Sequence, residues 1–67
     1  MIEVVINGKR EELPEGTTVA GLCIRLGVER TRVAVERNQD VVPRKSYDDV
    51  TLQAGDRLEV VAFVGGG

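Results

Sequence analysis

The sequence contains no histidine, no tryptophan and a single cysteine, Cys23. Without histidine, the commonest general base and the commonest metal ligand are both missing. One cysteine allows neither an intrachain disulfide nor a thiolate cluster for zinc or iron–sulfur. The eleven acidic residues fall in no metal-loop pattern. No apolar run approaches the roughly 20 residues of a membrane span, and no basic start leads into the apolar stretch of a secretory leader. Nine basic residues lie scattered among the acidic ones for a net charge of −2, so the dense basic stripe of a nucleic-acid surface is lacking. These absences predict a cytosolic protein that is not itself an enzyme and holds no metal or cofactor of its own.

The 67 residues suffice for one small domain, 1–67. A chain of this size buries only about 60% of the surface its unfolded form exposes. The core is therefore thin, and a deep internal active site has no room.

Local patterns order the chain. Ile2, Val4 and Ile6 alternate ahead of Asn7-Gly8, the pair a type I′ hairpin turn prefers because both positions need positive φ. The return limb, Lys9 to Leu13, is mostly charged and suits a strand at the solvent side of a sheet. Thr18 is placed as a helix N-cap. Val19, Leu22, Cys23 and Leu26 follow as one apolar stripe, and Gly27 sits where a left-handed C-terminal cap belongs. Gly21 within this helix costs about 1 kcal/mol relative to Ala, so the helix depends on a sheet to pack against. Val33 and Val35 mark a half-buried strand, Asn38-Gln39-Asp40 a turn, and Val41-Val42 a short strand stopped by Pro43. Ser46 and Asp49 resemble a capping box around a short helical turn. After the Ala54-Gly55-Asp56 turn, a last strand runs from Arg57 to Phe63. The order of elements is α+β.

That strand carries the functional signal. Leu58, Val60 and Ala62 share one face, and Arg57 and Glu59 the other. By parity Val61 and Phe63 belong with the charges, so a polar face turns apolar shortly before the sequence ends. They either pack under a neighbouring loop or form a docking patch. Val64 leads into Gly65, Gly66 and Gly67. Without side chains, such a tail is expected to be flexible over 64–67, and it is the thinnest chain able to thread a narrow cleft and present a terminal carboxylate there.

Val35-Glu36-Arg37-Asn38, Val41-Val42-Pro43-Arg44, Gly55-Asp56 and Val60 through Gly67, with Asn7-Gly8 and Gly16-Thr17-Thr18-Val19, together resemble the ThiS family of sulfur carriers of thiamine biosynthesis. The resemblance spans nearly the whole chain. It implies a ubiquitin-like β-grasp fold, with one helix on a mixed sheet of about five strands. It also implies that a ThiF-type adenylating enzyme uses MgATP to adenylate the carboxylate of Gly67. A sulfur donor such as a cysteine desulfurase then supports conversion to a thiocarboxylate, and a ThiG-type thiazole synthase receives the sulfur. By the same resemblance Gly65 and Gly66 form the threadable tail, and Phe63 and Val64 guide docking to partners. Strand parity adds Val61 to the partner-binding residues, and a small acidic carrier that must fit several partners is expected to be monomeric when free.

Three glycines stand where a pair is the minimal ending, and Tyr47 stands where a tryptophan is expected. Cys23 lies on the apolar helix stripe and reads as a core residue rather than a sulfur relay. The alternatives are the related small-subunit carrier of molybdopterin synthase and a ubiquitin-like interaction or conjugation module. The former often has proline before its terminal glycines, where this chain has Phe63-Val64.

Overall fold

The computed structural model describes residues 1–63. β1 (Ile2–Ile6) and β2 (Lys9–Leu13) form an antiparallel hairpin closed by Asn7 at φ 50° and Gly8 at φ 82°. Both values are left-handed, as the type I′ turn requires. Val4, Ile6 and Leu13 turn into the core, while Lys9 to Glu12 remain exposed along an outer edge of the sheet.

α1 (Val19–Leu26) begins and ends where its sequence signals stand. The Thr18 hydroxyl accepts from the Gly21 N–H at 3.1 Å. Gly27, at φ 71°, donates to the Ile24 carbonyl, and the Val28 N–H closes onto Cys23. Val19, Ala20, Leu22 and Cys23 are buried against the sheet. Leu26 departs from the expected stripe. As the last residue of a short helix it lines an open groove with Leu13 and Leu22, and it is 43% exposed.

A 3₁₀ turn at Arg30–Arg32 leads into β3 (Val33–Arg37), which pairs antiparallel with the short β4 (Asp40–Val41). Val42, expected within that short strand, lies just past it, buried, with its N–H on the Val35 carbonyl at 2.9 Å. The second 3₁₀ turn, Arg44–Ser46, starts behind Pro43, at φ −60°, without a side-chain cap. Proline's fixed φ starts this turn early. Ser46 therefore ends the turn instead of capping it, and its carbonyl accepts the N–H groups of Asp49 and Val50.

β5 (Arg57–Ala62) occupies the middle of the sheet, parallel to β1 and antiparallel to β3, in the strand order β2-β1-β5-β3-β4. It stops one residue short of the expected Phe63. Leu58 is buried and Val60 partly buried on the helix side, whereas Ala62 is exposed. One helix on a mixed five-stranded sheet is the β-grasp arrangement the sequence motifs imply. Tyr47 fills the place of the expected tryptophan as the largest fully buried side chain, with its hydroxyl 3.4 Å from the Val33 carbonyl. Among the described residues no helix is long and apolar enough to cross a membrane.

Candidate functional site

Part of the open face of the sheet, opposite the helix, is assembled from alternate residues of three strands, β3, β4 and β5. In register, Ala34 stands opposite Val61, and Glu36 stands opposite both Glu59 and Val41. Val61 is 57% exposed and Val41 68%. Phe63 continues the β3–β5 ladder through its N–H on the Arg32 carbonyl at 2.9 Å, and it is 59% exposed. Among the described residues Val61 and Phe63 therefore do not pack under a loop; both stand at the surface at the end of the last strand. The other predicted site residues, Val64, Gly65, Gly66 and Gly67, lie outside the described residues.

Two asparagines hold this exit strand in ways their local sequence does not announce. The β1–β5 ladder ends at Ile6 opposite Leu58, and the Asn7 N–H still reaches the Leu58 carbonyl at 2.8 Å. Beyond it, the Asn7 carboxamide takes the place of a peptide group. Its Oδ1 accepts the Val60 N–H at 2.8 Å, and its Nδ2 donates to the Val60 carbonyl at 3.1 Å. Because Val60 presents one donor and one acceptor, the orientation of the amide is fixed. From the β3 side, Asn38 Oδ1 accepts the Arg57 N–H at 2.9 Å, and its Nδ2 donates to Asp56 at 3.0 Å. Both asparagines have positive φ in hairpin turns; the local sequence assigns Asn7 that conformation and Asn38 a turn, but neither of these contacts.

The outer end of β3 is held as firmly. Among the described residues no strand beyond β4 reaches the Val33 carbonyl, which instead accepts from Arg44 Nη2 at 3.1 Å and from the Tyr47 hydroxyl. Arg44 Nε also donates to the Arg30 carbonyl at 3.0 Å, and Arg30 Nη2 returns a bond to the Arg44 carbonyl at 3.2 Å. Arg30 lies over the Tyr47 ring at 5.4 Å from its centroid and pairs with Asp48 at 2.9 Å.

Among the described residues no group of three potential metal ligands comes together. Cys23 is 2% exposed, and burial raises its thiol pKa despite the opposing charge of Arg30. A protonated core thiol is a poor nucleophile.

Comparison with known proteins agrees with this architecture. The sequence model of the ThiS family matches residues 3–67. A thiazole synthase of Paramagnetospirillum magneticum is 47% identical over 66 residues, an alignment covering 98% of this chain and 20% of that protein. This chain thus spans about a fifth of that relative's length. The sulfur carrier protein ThiS of Bacillus subtilis is 36% identical over 63 residues, covering 92% of this chain and 96% of the relative. The crystal structure of the thiamine biosynthesis protein ThiS from Geobacter metallireducens superposes with a TM-score of 0.84 at 33% identity, covering 98% of this chain and all of that one. By sequence and by fold, the chain belongs to the ThiS family of sulfur carrier proteins.

Proposed function

We propose that this chain carries sulfur for thiazole formation on the carboxylate of Gly67. Family membership across nearly the whole chain is the observation that carries the reading. The thiazole synthase of P. magneticum adds to it, because a segment similar to this chain forms part of that polypeptide. The exposed Val61 and Phe63 supply a docking patch for a ThiF-type adenylating enzyme, and Val64, Gly65 and Gly66 carry Gly67 into its nucleotide site.

The chemistry needs nothing from this chain's side chains. A free carboxylate is a poor acyl donor. Attack of a Gly67 oxygen on the α-phosphorus of MgATP expels pyrophosphate and leaves an acyl-adenylate. Hydrosulfide then adds to the activated carbonyl and expels AMP, leaving a thiocarboxylate. A protein persulfide delivers the same sulfur through an acyl disulfide, which a thiol cleaves to thiocarboxylate while itself ending as a disulfide. The thiocarboxylate sulfur is a better nucleophile than the oxygen it replaces and is handed to thiazole synthase. The carrier thus acts as a protein co-substrate.

Intact mass spectrometry tests this after incubation with the adenylating enzyme, MgATP and sulfide. The expected product has one oxygen replaced by sulfur and gains a single alkyl group from iodoacetamide, on a Cys23→Ser background that removes the competing thiol. A conjugate to lysine of another protein, with no thiocarboxylate, would favour the modifier reading instead.

A further inference from the structure

We infer that Asn7 is a positioning residue for carrier activation, fixing the exit strand so that Val61 and Phe63 are presented as a pre-formed docking patch. The inference rests on the carrier reading above and adds to it a residue remote in sequence from the tail. Asn7 lies 53 positions before Val60, yet its carboxamide makes both hydrogen bonds that a neighbouring strand would make to Val60. The β1–β5 ladder has ended at Leu58, so this side chain is what continues it on the β1 edge. Val61 and Phe63 follow immediately, both more than half exposed, with little packing of their own to hold them. Their remaining support comes from β3, through the Val33–Ala62 and Ala34–Val61 register and the Phe63 N–H on Arg32. With the clasp open, the strand beyond Leu58 is held along one edge only. Each encounter with a partner then has to order the patch as well as bind it, which lowers apparent affinity.

The turn and the clasp are separable by substitution. Asn7→Gly keeps the positive φ that the hairpin needs and removes the carboxamide. Asn7→Asp keeps an oxygen for the Val60 N–H but removes the donor to the Val60 carbonyl. The assay is carrier-dependent ATP–pyrophosphate exchange by a ThiF-type adenylating enzyme, run where both proteins are fully folded, so that lowered global stability alone moves neither kinetic constant. Amide hydrogen exchange is followed in parallel.

For Asn7→Gly the expected result is a KM for the carrier raised about fivefold or more, with kcat within about twofold of wild type. Exchange is expected to accelerate at Val60 to Phe63, with Val4 and Val35 still the slowest amides. Asn7→Asp should fall between the two, and it serves as the test should the glycine variant fail to fold. Unchanged KM and kcat despite faster exchange at Val60 would make the clasp merely structural and overturn the inference. A loss confined to kcat overturns it too, because ordering of a docking patch acts on encounter. A wild-type chain that supports no exchange refutes the carrier reading and this inference with it, whereas an active wild type with an unaffected variant refutes the inference alone.

Discussion

Arg37 Nε donates to Asp56 Oδ2 across 2.8 Å, joining the end of β3 to the turn that launches β5. The carboxylate is 7% exposed and also accepts from the Gln53 N–H at 2.8 Å and from Asn38 Nδ2 at 3.0 Å. A buried carboxylate with three donors around it fixes the loop geometry that sets the start of the exit strand.

Asp56 should therefore make acid stability depend on its charge. Burial pushes its pKa up, but the bonds from Gln53, Arg37 and Asn38 and the charge of Arg37 outweigh burial and hold it below the usual carboxylate value. The folded state thus binds this proton less tightly than the unfolded chain does. The stability involved is fully present above the unfolded pKa of about 4 and is lost as pH falls through the lower folded value. Asp56→Ala should cost about 1–3 kcal/mol at neutral pH. In urea titrations its deficit relative to wild type should shrink below about pH 4; a deficit independent of pH would remove the charge from the explanation.

Gln39 has φ 74° in the β3–β4 turn, a left-handed conformation in a residue with a Cβ. Gln39→Gly should raise stability by about 0.5–1 kcal/mol, relief of left-handed strain exceeding the added freedom of the unfolded chain. A lower urea midpoint with an unchanged slope would show that the Gln39 side chain contributes more than its backbone costs.

Cys23→Ser should leave sulfur transfer intact and destabilise the fold by about 1–3 kcal/mol, since a hydroxyl replaces a 2%-exposed thiol in an apolar core. Slow native-state alkylation of wild-type Cys23 should accompany this, given its raised pKa. A folded serine variant that accepts adenylation but never acquires sulfur would restore a relay role for Cys23.

Phe63→Ala should change stability by no more than about 0.5 kcal/mol, as expected of a surface position, against about 3–5 kcal/mol for a buried phenylalanine. Its effect belongs in the KM for the carrier during adenylation, raised about tenfold if Phe63 is a docking anchor. Normal adenylation kinetics in the folded variant would exclude Phe63 from the interface.

What the sequence disclosed was mostly local. Thr18, the Val19 to Cys23 stripe and Gly27 define α1 by contacts within a few residues, and both caps stand as read. Asn7-Gly8 likewise specifies its turn through φ alone. Leu26 was misplaced because helical periodicity assigns a face without saying how far the covering sheet extends. The Ser46–Asp49 spacing misled because Pro43 started the turn earlier. The second duties of Asn7 and Asn38 lie in contacts 53 and 19 positions away, beyond any short-range pattern. Strand parity separated Val61 from the Leu58 side of β5, but its exposure depended on what the tertiary fold placed over it.

The central place of β5 has a consequence for synthesis of the chain. Among the described elements β5 is synthesised last, and in the sheet the β1–β2 hairpin and the β3–β4 pair are joined through it. Until it emerges, Val4, Leu22 and Val35 lack a closed core, and the nascent chain has no complete sheet on which to pack its helix. Folding therefore waits for translation of the strand that bears Val61. A polypeptide cut short before β5 lacks the strand that joins the two halves of the sheet, and its unpaired strand edges and apolar side chains stay open to solvent.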